Sequence, residues 1–477
     1  MAIVIIGAGI TGLTCAWKLS ELYGKKIILI EKEEAVGGLI RTIHKDGLSF
    51  DLGSHRIHPL FPSDIFKTMS SLCDNDLLKR KRNGLLFSNK NFIKYPPTIP
   101  NILMGFGLRD FLMFGLDYVI KFPNRLKKAD IDILSYESYM ISMVGKGIYE
   151  RLFKPYALKL WGIDPATVAP NPAVSRNGHL ELPMFLKELL QKIRKGHIDY
   201  YFYPKRGMGV LAENIKKEFL AKGGQLFLNA EITEIKTNGH QQLDSLVISD
   251  SRGDRREIKL DILISTIGQD DLLDMIKTSD CQQDMSIRKK MFYRSLRVIY
   301  METGDILPYR NEAFYFPEPA YLIGRVSELN KYSPDLNNLK ASTILTVEVP
   351  ATEDDAIWNM SDEKLFNLCK KDLMAVNILK RETKNTRLRY AHRLKNVYPV
   401  YTLNYRNLFR KKYDYLNTFK NLFLVGRNAL FLHCNMDHCM HMAFELSQVL
   451  SMMDNEKDRK EKWLKKSEDF FSFRLRY

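Results

Sequence analysis

The sequence predicts an α/β protein in which a Rossmann-type nucleotide domain is interleaved with a second, α+β domain. Three observations carry that expectation. Residues 2–6 are an unbroken apolar run, as in a strand buried on both faces. A G-x-G-x-x-G turn follows at once. Two further apolar runs, 260–267 and 421–425, lie far down the chain, and each leads into a glycine, Gly268 and Gly426. A domain that returns to its sheet in this way carries long insertions between visits.

Behind the turn, Ala16, Leu19 and Leu22 space out a helix that ends near Gly24. Residues 26–30 read as a second buried strand closing on Glu31, completing one β-α-β unit with a right-handed crossover. The runs at 260–267 and 421–425 are expected in the same sheet. The expected division gives 1–75, 196–269 and 413–450 to the nucleotide domain, and 76–195 and 270–412 to the second. Residues 99–126 carry a broad apolar helical face with Arg109, Asp110, Asp117 and Lys121 interspersed. They read as a core or dimer helix, or as a monotopic membrane contact or lipophilic tunnel. The basic C-terminal tail, 451–477, has mixed charge at helical spacing and predicts a solvated helix. Its aromatic end from Phe470 is left to dock on the body or on a membrane.

Composition narrows the class. At 45% hydrophobic and 27% charged residues the chain is that of an ordinary globular enzyme. The net charge of +16 favours an anionic partner, or else a lysine-rich solvated surface. No basic run has interleaved aromatics, so nucleic acid is not an expected partner. The six cysteines are scattered without a C-x-x-C pair and read as free thiols of a reducing cytoplasm. The start runs straight into a strand without a signal-peptide pattern, and no stretch of about 18 apolar residues suggests a membrane span. A cytoplasmic location is expected, with a peripheral place at the inner face of a membrane, through 99–126 or the tail, and a homodimer left open.

The glycine turn has a mechanical logic. Gly7 permits the tight turn, Gly9 lets the backbone approach a pyrophosphate, and Gly12 lets helix and strand pack closely. The helix N-terminus offers free N–H groups to the phosphates. Glu31, 19 residues after Gly12, is placed to accept from a ribose 2′-hydroxyl. Thr11 within the turn and Lys32 beside the acid join this candidate set. Gly37-Gly38 and Arg41 follow the second strand and can line and neutralise the far side of the pyrophosphate.

With these motifs the chain resembles, from Ile3 to about Leu450, the flavoprotein superfamily of flavin amine oxidases, protoporphyrinogen oxidase, phytoene desaturases and UDP-galactopyranose mutase. The resemblance implies FAD as cofactor and makes the first domain an FAD-binding, Rossmann-type (GR2-like) domain beside a substrate domain. It implies cofactor contacts at Gly37, Gly38 and Arg41. It also implies that the loop Phe50-Asp51-Leu52-Gly53-Ser54-His55-Arg56-Ile57-His58 passes over the flavin, with Gly53 and Ser54 as contacts and His55 and His58 on the flavin face. Tyr203-Pro204-Lys205-Arg206-Gly207-Met208-Gly209 is similar to the family's strand-to-helix turn, and Ile232 falls where the backbone reads the adenine. Gly426-Arg427 through Asn435-Met436-Asp437 resembles the closing motif, in which a helix N-terminus faces the flavin N1/O2 edge and stabilises its negative charge.

Lys159-Leu160-Trp161-Gly162, Tyr293 to Arg297, Gly324-Arg325-Val326 and Tyr398-Pro399 are similar to the mutase branch. There Arg325 would pair with a substrate diphosphate and Trp161 would lie in the nucleotide-sugar pocket, with Arg176 a second diphosphate ligand and Tyr398 beside them. Two guanidinium forks suit a diphosphate. The chain departs from that branch at Phe431, His433 and Asn435, where the mutase motif has two tyrosines and an aspartate. Phe431 has no hydroxyl to donate to a phosphate. His433, Cys434, His438 and Cys439 match no familiar zinc spacing, so no metal is expected.

The expectation is an FAD-dependent oxidoreductase that passes hydride from a small-molecule substrate to flavin N5, with His55 and His58 as catalytic candidates. The alternatives are a flavin-dependent nucleotide-sugar mutase and a flavin-bearing binding protein at a membrane.

Overall fold

A computed structural model describes residues 2–22, 26–95, 135–170, 199–239, 241–277, 285–304, 307–339, 341–380, 385–452 and 455–473. The 99–126 stretch and Arg176 lie outside the described residues.

The predicted strands meet in one sheet. It is five-stranded and parallel, in the order Leu422–Leu424, Ile262–Ser265, Ala2–Ile6, Lys26–Ile30, Gln225–Phe227. The central strand is buried at all five positions, which its Ile and Val content anticipates. Helix Ile10–Leu22 packs between helices Gly209–Ala221 and Met436–Met452. A Cβ on Gly12 would stand 1.9 Å from the Gly7 carbonyl oxygen, so close helix-to-strand contact excludes any side chain there. Leu272, Phe409, Tyr413 and Leu416 share this core, which brings helices Gln269–Met275 and Tyr405–Asn417 against the parallel sheet.

The second sheet has seven strands, in the order Arg387–Pro399, Tyr293–Thr303, Thr343–Ala351, Arg325–Glu328, Ala313–Tyr315, Gly84–Ser88, Asn91–Tyr95. Alternation along Tyr293–Thr303 divides its faces. Ile299 and Met301 pack with helix Asp362–Ala375, while Leu296, Val298 and Tyr300 pack with Phe50 and Leu52. The second face thus lies over the loop that follows the first β-α-β unit.

The tail departs from its expected solvated state. Helix Glu456–Phe470 buries Lys460, Trp463, Ser467 and Phe470, a stripe at spacings of three and four. Trp463 Nε1 donates to the Leu424 carbonyl at 3.2 Å, and Lys460 donates to the Asn417 side chain at 2.8 Å. Phe471 packs on Phe409, and Phe473 on His438 and His441, so the aromatic end docks on the body. The charges hid a periodic buried face. Among the described residues no helix is long and apolar enough to cross a membrane.

Candidate cofactor and substrate site

At the end of the first strand, Gly7 takes φ +91° and its N–H donates to the Ile30 carbonyl at 2.9 Å. Gly37 N–H donates to the Ala8 carbonyl at 2.8 Å, which draws the second glycine pair against the first turn. Gly38 sits so close that its Cβ would be 3.2 Å from Gly9 Cα. A Cβ on Gly9 would meet nothing within 4 Å, so the backbone there borders open space that a phosphate can approach. Helix Ile10–Leu22 has no acidic residue in its first turn, leaving its positive pole uncompensated by side chains.

Glu31 lies at this edge, accepting from Ala8 N–H at 2.7 Å and Glu33 N–H at 3.0 Å. Each bond fixes one carboxylate oxygen and leaves it a lone pair for a ribose hydroxyl. Lys32 is exposed. Asn229 and Ala230 donate to the carbonyls of Glu33 and Glu31, both at 3.0 Å, which sets the strand carrying buried Ile232 beside the acid. Arg41 approaches His392 Nε2 at 3.4 Å and Glu33 at 3.9 Å; its buried Nε has no hydrogen-bond partner.

The closing turn is built against the first. Gly426 has φ +94°, and a Cβ there would stand 2.8 Å from the hydroxyl of buried Thr11. Arg427 donates to the carbonyls of Cys434 at 3.0 Å and Val397 at 2.7 Å and lies over the Tyr398 ring. Its guanidinium pins strand end to turn. Asn435, Met436 and Asp437 then start helix Met436–Met452, with Asn435 N–H donating to His438 Nδ1 at 3.2 Å.

Between these ends and the seven-stranded sheet is a cavity lined by Leu39, Leu52, His55, Arg325, Val397 and Tyr398. Gly53, at φ +92°, borders it. His55 Nε2 lies 2.9 Å from the Leu52 carbonyl, and burial pushes its pKa down to about 4. His58, whose Nδ1 accepts from Leu60 N–H at 3.2 Å, is likewise lowered to about 4 by burial and by Arg82 and Arg56. Ser54 shares a 2.8 Å hydrogen bond with Tyr332, and Tyr398 stacks on His433.

Arg325 is engaged from within. Its Nε and Nη2 donate to Glu348 at 2.9 and 2.6 Å, and Glu348 is 6% exposed. Glu348 escaped sequence reasoning, although a lone charge in the otherwise uncharged run of Thr343–Ala351 signals a buried partner. The network under the loop also escaped it. Buried Asp51 accepts from Thr42, Tyr203 and, at 3.1 Å, Met208 N–H; burial raises its pKa. Trp161 lies in a separate cluster, edge-on to Tyr136, and does not line the Arg325 cavity.

The residues present therefore fit FAD. The open space at Gly9, the left-handed glycines, two helix N-termini and the unpaired Arg41 Nε form a cradle for a dinucleotide. Fold and site define an FAD-binding flavoprotein of the Rossmann type. The model of the family "Flavin containing amine oxidoreductase" matches residues 10–447, and the chain belongs to that family of FAD-dependent oxidoreductases. It is 24% identical over 188 residues to mitochondrial protoporphyrinogen oxidase of Nicotiana tabacum, covering 38% of this chain and 36% of that protein. With a 15-cis-phytoene desaturase of an Oncidium hybrid cultivar it shares 26% over 265 residues, 52% of this chain and 44% of the relative. The matches thus span about a third to a half of these relatives. Among solved structures, reduced UDP-galactopyranose mutase aligns with a TM-score of 0.78 at 22% identity, covering 96% of this chain and 95% of that one. A putative protoporphyrinogen oxidase from Exiguobacterium aligns at 0.70 with 16% identity, covering 94% and 98%. At these identities the likeness is one of fold.

Proposed function

We propose that the chain oxidises a largely apolar small molecule held in the Leu39–Arg325 cavity. The observation that carries this reading is a mostly apolar cavity whose two charged lining residues, Arg325 and Glu348, neutralise each other. Bound FAD supplies the acceptor for a hydride at N5. Leu39, Leu52, Leu296 and Val397 orient the substrate and exclude water. His55 lines the cavity and is neutral at physiological pH, so it adds no charge there; His58, also neutral, is not among the lining residues. The low basicity of His55 suits C–H cleavage in which the electron pair leaves with the hydrogen. The N-terminus of Met436–Met452, whose first turn also carries the buried Asp437, would offer its free backbone N–H groups to the cofactor.

The test is to mix amines and lipophilic substrates with the yellow protein under nitrogen. Bleaching of the flavin band, reversed by an electron acceptor, supports the reading; no bleaching by either class counts against it.

The mutase fold likeness favours a second reading, in which Arg325 takes a diphosphate. Its Glu348 partner and the buried, hydroxyl-free Phe431, packed on Tyr293 and Tyr401, oppose it. Saturable UDP binding weakened by Arg325→Ala by about 1.5–3 kcal/mol would favour this alternative. A cytoplasmic place and a peripheral membrane contact through 99–126 remain part of the proposal. Salt-sensitive sedimentation with anionic liposomes tests the contact, and no sedimentation removes it.

A further inference from the structure

The closing helix begins between two cysteines that the cofactor and cavity leave unused. Cys434 stands in the loop before it and Cys439 in its first turn. Their sulfurs lie 3.7 Å apart, and both residues are buried. A disulfide has S–S near 2.05 Å, so the sulfurs need close by roughly 1.7 Å, within reach of side-chain rotation. The pair sits where the two glycine turns meet: Thr11, against Gly426, also reaches Cys439, and Arg427 donates to the Cys434 carbonyl.

The two thiols are unequal. The hydrogen bond it shares with Cys434 holds Cys439 below the ordinary thiol range, helped by Thr11 and Arg427 and opposed by burial. The same bond and burial push Cys434 up. Of the two, Cys439 holds its proton less tightly, which makes it the attacking sulfur of the pair and Cys434 the resolving one.

We propose that Cys434 and Cys439 form a peroxide-reactive dithiol at the cofactor end of the closing helix, converted reversibly to a disulfide. This goes beyond the oxidoreductase reading and does not rest on it. The Cys439 thiolate attacks one peroxide oxygen; the S–O bond forms, the O–O bond breaks, and hydroxide leaves to become water. The Cys434 sulfur then attacks the oxidised sulfur. The S–S bond forms, the S–O bond breaks, and a second water leaves with the Cys434 proton. The thiols lose two electrons, and the peroxide gains them. The disulfide would tighten the loop that carries Asn435 and Met436 toward the cofactor.

The experiment treats the FAD-loaded full chain with stoichiometric hydrogen peroxide, alkylates free thiols and maps peptides by mass. The expected result is a peptide containing both cysteines that has lost two hydrogens, escapes alkylation and is restored by dithiothreitol, with Cys15, Cys73 and Cys369 still reduced. Cys434→Ser should stop at a sulfenic acid on Cys439 that dimedone traps, whereas Cys439→Ser should leave Cys434 unmodified. Should either variant fail to fold, the wild-type map alone decides. Alkylation of both residues after peroxide, or a disulfide to any other cysteine, would overturn the proposal.

Discussion

The two sheets differ at the edges they turn toward a ligand. Around the parallel sheet, polar backbone is left facing open space: Gly9 borders a gap and helix Ile10–Leu22 presents its bare N-terminus. Around the seven-stranded sheet, charge is consumed internally. Arg325 is spent on Glu348, Arg297 on Asp362 and three carbonyls, and Glu302 on Arg387 and Arg389. The difference teaches where a ligand's charge is received. The parallel half is organised for an anionic dinucleotide, while the other half offers a wall that is nearly neutral as a whole.

The largest expected effect tests that internal pairing. Arg325→Ala strands Glu348, and urea unfolding should show a loss of about 3–4 kcal/mol, with much of it recovered by adding Glu348→Gln. Wild-type stability in the single variant would mean that the arginine is held for a ligand instead.

The neutral wall also predicts a pH dependence. His55 has an ordinary pKa of 6.5 and a folded value of about 4. The unfolded chain therefore binds the proton first as pH falls. Stability from this group is complete above pH 6.5 and is lost between about 6.5 and 4, by about 2–3 kcal/mol. Denaturation midpoints across that window should fall for the wild type and fall less for His55→Gln. Equal slopes would contradict the burial argument.

On the cofactor side, Glu31→Ala should weaken FAD by about 1.5–3 kcal/mol, read as flavin absorbance surviving gel filtration. Full retention would sink the ribose assignment. The smallest effect concerns the docked tail. Phe473→Ala removes the ring contacts with His438 and His441 and should cost about 0.5–1.5 kcal/mol of thermal stability. An unchanged melting temperature would mean that the aromatic end merely rests on the helix.

The same contrast explains what the sequence disclosed. Gly7, Gly9, Gly12 and Glu31 act through local backbone geometry within one β-α-β unit, so spacing alone revealed them. The strands at Ile262–Ser265 and Leu422–Leu424 were legible because burial on both faces demands continuous apolar runs. Asp51 with Tyr203, or Arg56 with Glu312, joins residues far apart in the chain, and no local pattern encodes such a meeting. The tail misled for a related reason: abundant lysine concealed the Lys460–Trp463–Ser467–Phe470 stripe until its neighbours were in place.

The most direct test of the central contrast is a titration of the yellow protein with UDP, with the flavin oxidised and then reduced, followed by fluorescence and visible spectrum. The account predicts no saturable binding in either state, because Glu348 already neutralises Arg325. Saturable binding that tightens on reduction would contradict it and make the seven-stranded half a diphosphate site.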